Sequence, residues 1–139
     1  MNKPSKRTLP PGTLVLDSEG LSKAVAHDRE IIKRLSWAHK NDIPVVLSTA
    51  TLVEAIHPRI DRKALAWRLS RLTVKPVTEQ TARLASELLA DAGKHGHSHA
   101  IDAMVCATAL ASPKPVRVLT SDPGDIADLA GDHVSVIPV

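Results

Sequence analysis

Thr13-Leu14-Val15-Leu16-Asp17 and Val116-Arg117-Val118-Leu119-Thr120-Ser121-Asp122 are the stretches whose reading decides the architecture. The first is a short apolar run closing on an aspartate, and the second is a further strand, Val116-Arg117-Val118-Leu119, followed by Asp122. An apolar run such as Leu14-Val15-Leu16 suits a strand covered on both faces. Three further strands read from the chain between and beyond them. Ile43-Pro44-Val45-Val46-Leu47 carries its proline near the start, where a strand tolerates one. Thr73-Val74-Lys75-Pro76-Val77 is more polar and suits a sheet edge. Val134-Ser135-Val136-Ile137 is the last. Helical patterns separate them. A short helix covers residues 19–26, and a second begins after Asp28, with Ile31, Ile32, Leu35 and Ala38 on one face. A third, capped by Ser48 or Thr49, ends at His57-Pro58. A fourth covers residues 59–72 with Trp67 on its apolar side. A fifth starts at Thr78 and stops at Gly93, as helices commonly do. Residues 94–97 read as a loop, followed by a Ser98-capped helix over 100–111 that is apolar almost all round. A short helix over 123–130 precedes the last strand. No two strands are joined by a hairpin turn, so the crossovers are right-handed and the sheet parallel. The expectation is α/β: one three-layer domain over residues 13–139, behind a flexible basic tail over residues 1–12.

Composition narrows the function classes. The 139 residues are 43% hydrophobic and 24% charged, ordinary for a globular chain. Two Trp and no Phe or Tyr make the core aliphatic and argue against an aromatic platform for stacking bases. A single cysteine, Cys106, excludes an internal disulfide and a thiolate zinc site, and it reads as a buried small hydrophobe. No apolar run reaches the roughly 18–20 residues of a membrane span. The basic start is followed by Pro10, Pro11 and Gly12 where a signal peptide needs its apolar stretch. A cytoplasmic protein with no membrane partner is the expectation.

Four carboxylates stand in apolar surroundings, where charge is costly unless paired or metal-bound. Asp17 and Asp122 directly follow the first and fourth strands, so both lie on the carboxyl edge where open parallel sheets bind ligands. Glu54 follows Thr51-Leu52-Val53, and Asp102 lies within Ala100-Ile101-Asp102-Ala103. Plainer roles stand beside these. Asp122 before Pro123 is a good N-cap, Asp17 can cap the helix after it, and Asp102 in an early turn gains from the helix dipole. Asp125 reads as an N3 acid and is close enough to be a further ligand. Glu54 has the weakest plain explanation. Carboxylates gathered on one edge repel one another and call for a cation. Oxygen ligands without cysteine favour Mg²⁺ or Mn²⁺. Setting four of the 15 acids aside leaves 11 against 18 bases. An acidic hole in a basic surface suits a metal-dependent nuclease acting on a polyanion.

The ordered set Asp17, Thr51-Leu52-Val53-Glu54, Ala100-Ile101-Asp102-Ala103 and Thr120-Ser121-Asp122-Pro123-Gly124-Asp125 resembles the four acidic motifs of the PIN-domain family. A stand-alone chain of this length most resembles its VapC-type toxins. The resemblance implies a five-stranded parallel sheet with the first and fourth strands adjacent. It also implies Mg²⁺-dependent cleavage of RNA, homodimers, and inhibition by a small cognate antitoxin. Asp17, Asp102 and Asp122 would then hold metal, with Glu54 helping to bind it or to orient the water. Ser18-Glu19-Gly20 departs from the family's usual small residue or Thr and apolar stretch after the first Asp, although Ser18 can still hydrogen-bond near the site.

Other features are less pointed. Arg59, Arg62, Lys63, Arg68 and Arg71 make the fourth helix basic, which reads either as a solvated face or as a surface for RNA or antitoxin. Trp67 there reads as core, or else as a dimer contact. His95, His97 and His99 alternate around Gly96, as a solvated hinge loop or an adventitious Zn²⁺ or Ni²⁺ site. A receiver domain would need an acceptor Asp after the third strand, where Val77-Thr78 stands instead. A dehalogenase-like phosphatase would need Asp-x-Asp where Asp17-Ser18-Glu19 stands. The remaining alternative is a catalytically silent PIN scaffold that binds RNA or protein.

Overall fold

The computed structural model describes residues 11–139. The basic tail expected from the sequence lies, up to residue 10, outside them. Gly12 belongs to the fold rather than to a tail: it is buried at φ 116°, beside the Pro115 carbonyl that accepts from the Thr13 amide at 3.0 Å.

Five parallel strands form the sheet: β1 (Thr13–Leu16), β2 (Val45–Ser48), β3 (Thr73–Lys75), β4 (Val116–Thr120) and β5 (Ser135–Pro138). Their order is β3-β2-β1-β4-β5, so β1 lies beside β4 and the polar β3 occupies an edge. Among the described residues seven α-helices flank them: α1 (Ser18–Val25), α2 (Arg29–Lys40), α3 (Thr49–Ala55), α4 (Arg62–Ser70), α5 (Glu79–Ala92), α6 (Gly96–Leu110) and α7 (Pro123–Ala130). Successive strand residues point to opposite faces. Val15, Val116 and Val118 pack with Ala103, Cys106, Ala107 and Ile126 under α5, α6 and α7. Leu14, Leu16 and Leu119 pack with Ile31, Leu35 and Ala38 of α2. Leu21, Leu47 and Leu65 join α1, β2 and α4 in a third cluster. With both faces covered, β1 is buried at all four positions. The three-layer α/β expectation and the adjacency of the first and fourth strands are both observed.

Local capping explains most helix limits. Asp28 caps α2 through the Glu30 and Ile31 amides, Ser48 caps α3, and Thr78 caps α5, which ends at left-handed Gly93. Two limits differ from expectation. The fourth helix begins at Arg62 because Asp61 caps it through the Ala64 amide, so Arg59 stands in the preceding turn. The sixth begins at Gly96, so His97 and His99 lie in its first turn rather than in a hinge loop. Among the described residues no helix is long and apolar enough to cross a membrane.

Candidate functional site

The acid edge is assembled by strand ends. Asp17 follows β1 and Asp122 follows β4, and because these strands are neighbours the two aspartates share one stretch of the carboxyl edge. Asp17 is buried and held from both sides. One oxygen accepts from the Gly20 amide at 2.9 Å, capping α1, and the other accepts from the Ser121 amide at 3.1 Å across the edge. The capping role and the edge position therefore coexist, since each carboxylate oxygen keeps a further lone pair. Asp122 occupies the N-cap position of α7 with Pro123 following, yet its side chain makes no cap hydrogen bond. Its exposed carboxylate is left facing solvent at the edge.

Glu54 sits in the last turn of α3, not near its start, and it is exposed. Ser18 Oγ donates to its Oε1 at 2.6 Å, tying α3 to the first residue of α1. Asp102 lies in the second turn of α6 because that helix starts earlier than its sequence suggested. A dipole explanation weakens accordingly, for the effect fades beyond the first turn.

The electrostatics show that these groups share one space. Burial pushes the Asp102 carboxyl up to about 6, and the charges of Asp122, Asp125, Glu54 and Asp17 push in the same direction. The Cys106 thiol, one turn further along α6, is pushed up to about 12 by burial and by Asp102. It is an inert, buried group. Asp125 is the N3 acid of α7 and is engaged elsewhere: Lys94 Nζ lies 3.3 Å from it and 3.3 Å from Asp128, and His99 Nε2 lies 3.8 Å from it. Lys94 is itself raised, first by its hydrogen bond to Asp125. Nothing in the sequence around Gly93-Lys94 marked this lysine, because its partners lie 31 and 34 residues further along the chain.

The acids come together as a field of charge rather than as a finished cage. Among the described residues, no three His, Cys, Asp or Glu side chains are grouped closely enough to hold a metal ion. The His95-His97-His99 set forms no such group either.

The basic residues divide. Arg62 and Lys63 are exposed on α4, and Arg59 is exposed in the turn before it. Arg68 is not on a solvated face: it is 7% exposed. Trp67, expected in the core, is 48% exposed. The inward face of α4 is therefore offset by one residue from the one its sequence suggested.

An open parallel sheet of this order, with acids along its carboxyl edge, is a PIN-like α/β fold. Neither protein-family models nor curated proteins match the chain. Solved structures do. A chain of VapBC2 from Rickettsia felis, crystallised bound to a DNA fragment from its promoter, superposes with a TM-score of 0.67 at 15% identity, over 91% of this chain and 98% of that one. A chain of FitAB bound to an IR36 DNA fragment gives 0.60 at 20% identity, over 91% and 94%. One of FitAcB from Neisseria gonorrhoeae gives 0.55 at 18%, over 90% and 96%. At these identities the likeness is one of architecture, and it extends over nearly the whole of each chain.

Proposed function

We propose that this chain is a Mg²⁺-dependent endoribonuclease, the toxin of a toxin–antitoxin pair, acting as a homodimer restrained by a small antitoxin. The observation that carries the reading is Asp102, raised to about 6 by its burial and by the four other acids of the edge. A fold gains nothing from collecting such repulsion unless a cation relieves it. The donor set is all oxygen, which suits Mg²⁺ or Mn²⁺. Asp17, Asp102 and Asp122 would hold the ion, with Glu54 at its side. When bound, such an ion activates a water and neutralises phosphate charge in an in-line displacement. Asp17, clasped by the Gly20 and Ser121 amides, is the fixed reference of the site. Ser18 orients Glu54 toward the edge, and Lys94 draws Asp125 aside. The architectural likeness to chains of VapBC2 and FitAB complexes supports an antitoxin as partner.

End-group analysis of cleaved RNA tests the chemistry. Water attack with the 3′ oxygen leaving yields 5′-phosphate and 3′-hydroxyl ends, lost in EDTA and in Asp102→Asn. Cyclic 2′,3′-phosphate ends that persist in EDTA would point instead to attack by the RNA's own 2′-hydroxyl and remove the metal mechanism. No cleavage of any RNA with any divalent metal would favour a silent binding scaffold.

A further inference from the structure

The acids occupy the carboxyl edge of the sheet, and the opposite edge holds a second concentration of charge, of the other sign. Where β2 and β3 begin, at Val45 and Thr73, α2 and α4 stand apart over a groove of about 810 Å³. Its floor is apolar, with Leu35, Ile43 and Leu72, and its polar lining includes Lys40, Arg68 and Arg71 against the acid Asp42. Arg68 is the unusual member. It is 7% exposed and its buried Nε has no hydrogen-bond partner. Buried guanidinium groups are ordinarily matched by an acid. Here the charge that acts on it is another cation, Arg71. The guanidinium carbons of Arg68 and Arg71 lie 4.7 and 4.8 Å from the centre of the Trp67 ring. Burial, and then the charge of Arg71, lowers Arg68 from the ordinary arginine value. Cation–π contact offsets part of that cost, but it supplies no acceptor for the Nε–H.

We propose that the Arg68–Arg71–Trp67 corner of this groove is a binding site for a phosphate group. Two planar forks of donors around one opening match a tetrahedral oxyanion carrying up to two charges better than a single carboxylate. The phosphate can come from an RNA backbone or from a free mononucleotide. In either case it docks on the side of the sheet away from the acids, so occupancy needs no divalent metal and does not depend on the nuclease reading.

The test uses the full chain in EDTA. Tryptophan fluorescence and calorimetry follow titration with pyrophosphate, with AMP and with a 5′-phosphorylated single-stranded RNA. Each probe should bind more weakly as salt rises, and Arg68→Gln and Arg71→Gln should each weaken binding about tenfold or more, the size of one lost charge-assisted contact. Arg83→Gln on α5, whose guanidinium pairs with Glu79, should change nothing. Arg71 is exposed, so its variant keeps the test valid even if Arg68→Gln folds poorly. RNA binding much tighter than AMP identifies the backbone as the source, and equal affinities identify the mononucleotide. The proposal is overturned if Arg71→Gln binds every probe like wild type. It is equally overturned if none binds tighter than about 10 mM, or if polyglutamate displaces the phosphate probes at matched ionic strength, which would mark a surface for acidic protein.

Discussion

Replacing Asp102 by Asn should stabilise the metal-free protein, an unusual outcome for a partly buried polar position. The carboxyl stands at about 6 in the folded chain, raised first by burial and then by Asp122, Asp125, Glu54 and Asp17, against an ordinary value of 3.8. The sign follows from linkage. Between those two values the folded chain binds the proton more tightly than the unfolded chain does. Stability from this group is therefore full below about pH 4 and is lost as the pH rises through about 6. The gap of about two pH units, at about 1.4 kcal/mol each, sets a ceiling near 3 kcal/mol. Asp102 is only partly buried, and screening by solvent and salt reduces the effect to about 1–2 kcal/mol. Asparagine keeps the shape and cannot ionise. At pH 7.5 in EDTA, Asp102→Asn should melt about 3–10 °C above wild type, the shift expected for a domain of this size. At pH 4 the two should melt together. Saturating Mg²⁺ should then raise wild type by mass action and the variant less, narrowing or inverting the order. Thermal unfolding at intervals from pH 4 to 8, with and without Mg²⁺, measures every term. A variant less stable than wild type at pH 7.5, or a gap that stays constant with pH, would refute the reasoning.

Two further outcomes follow from the geometry. Gly12→Ala should destabilise the fold by about 2 kcal/mol or more, read as a lower urea midpoint at unchanged slope, because its Cβ would stand 2.5 Å from the Pro115 carbonyl oxygen at a φ of 116°. Charge reversal at exposed Arg62 and Lys63 should leave the melting temperature within about 2 °C, yet weaken RNA binding and flatten its salt dependence in filter-binding assays; unchanged RNA affinity at low salt would reduce those residues to a solvated face.

What could be read in advance was whatever local rules control. The apolar run Leu14-Val15-Leu16 before Asp17 marked a buried strand, and Val116-Arg117-Val118-Leu119 marked the fourth. Asp28, Thr78 and Gly93 marked helix limits, because a cap or a left-handed residue needs only its own neighbours. The start of α6 was not legible. Gly96 between two histidines looks like a hinge, but it is the first residue of the helix, which packs along α5. The inward side of α4 was misread for a related reason. The helix has almost no amphipathic pattern, so only the tertiary contact of Leu65 decides which face turns inward, and it takes Arg68 with it rather than Trp67. The acids on the edge could be found from strand ends alone. Their separations could not, because those depend on Ser18 reaching Glu54 and Lys94 reaching Asp125 across long stretches of chain.

These tethers also say how the edge would respond to a cation. Asp17 is fixed by two backbone amides at once, one from its own helix and one from the loop after β4, so moving it would disturb the junction of the two central strands. Glu54 is held by a single hydroxyl, a bond that an ion could replace at a net cost of about 1 kcal/mol. Asp125 is compensated by Lys94 and has the least to gain from further positive charge. Asp122 makes no cap hydrogen bond, and Asp102 carries the repulsion of the whole set. If the edge takes a metal as proposed, the adjustment would therefore fall on Asp102 and Asp122, with Asp17 setting the position to which they adjust. On that reading, a fold that anchors Asp17 in backbone and leaves Asp102 and Asp122 without such tethers would hold its shape with or without the ion, while the repulsion gathered on Asp102 would favour binding one.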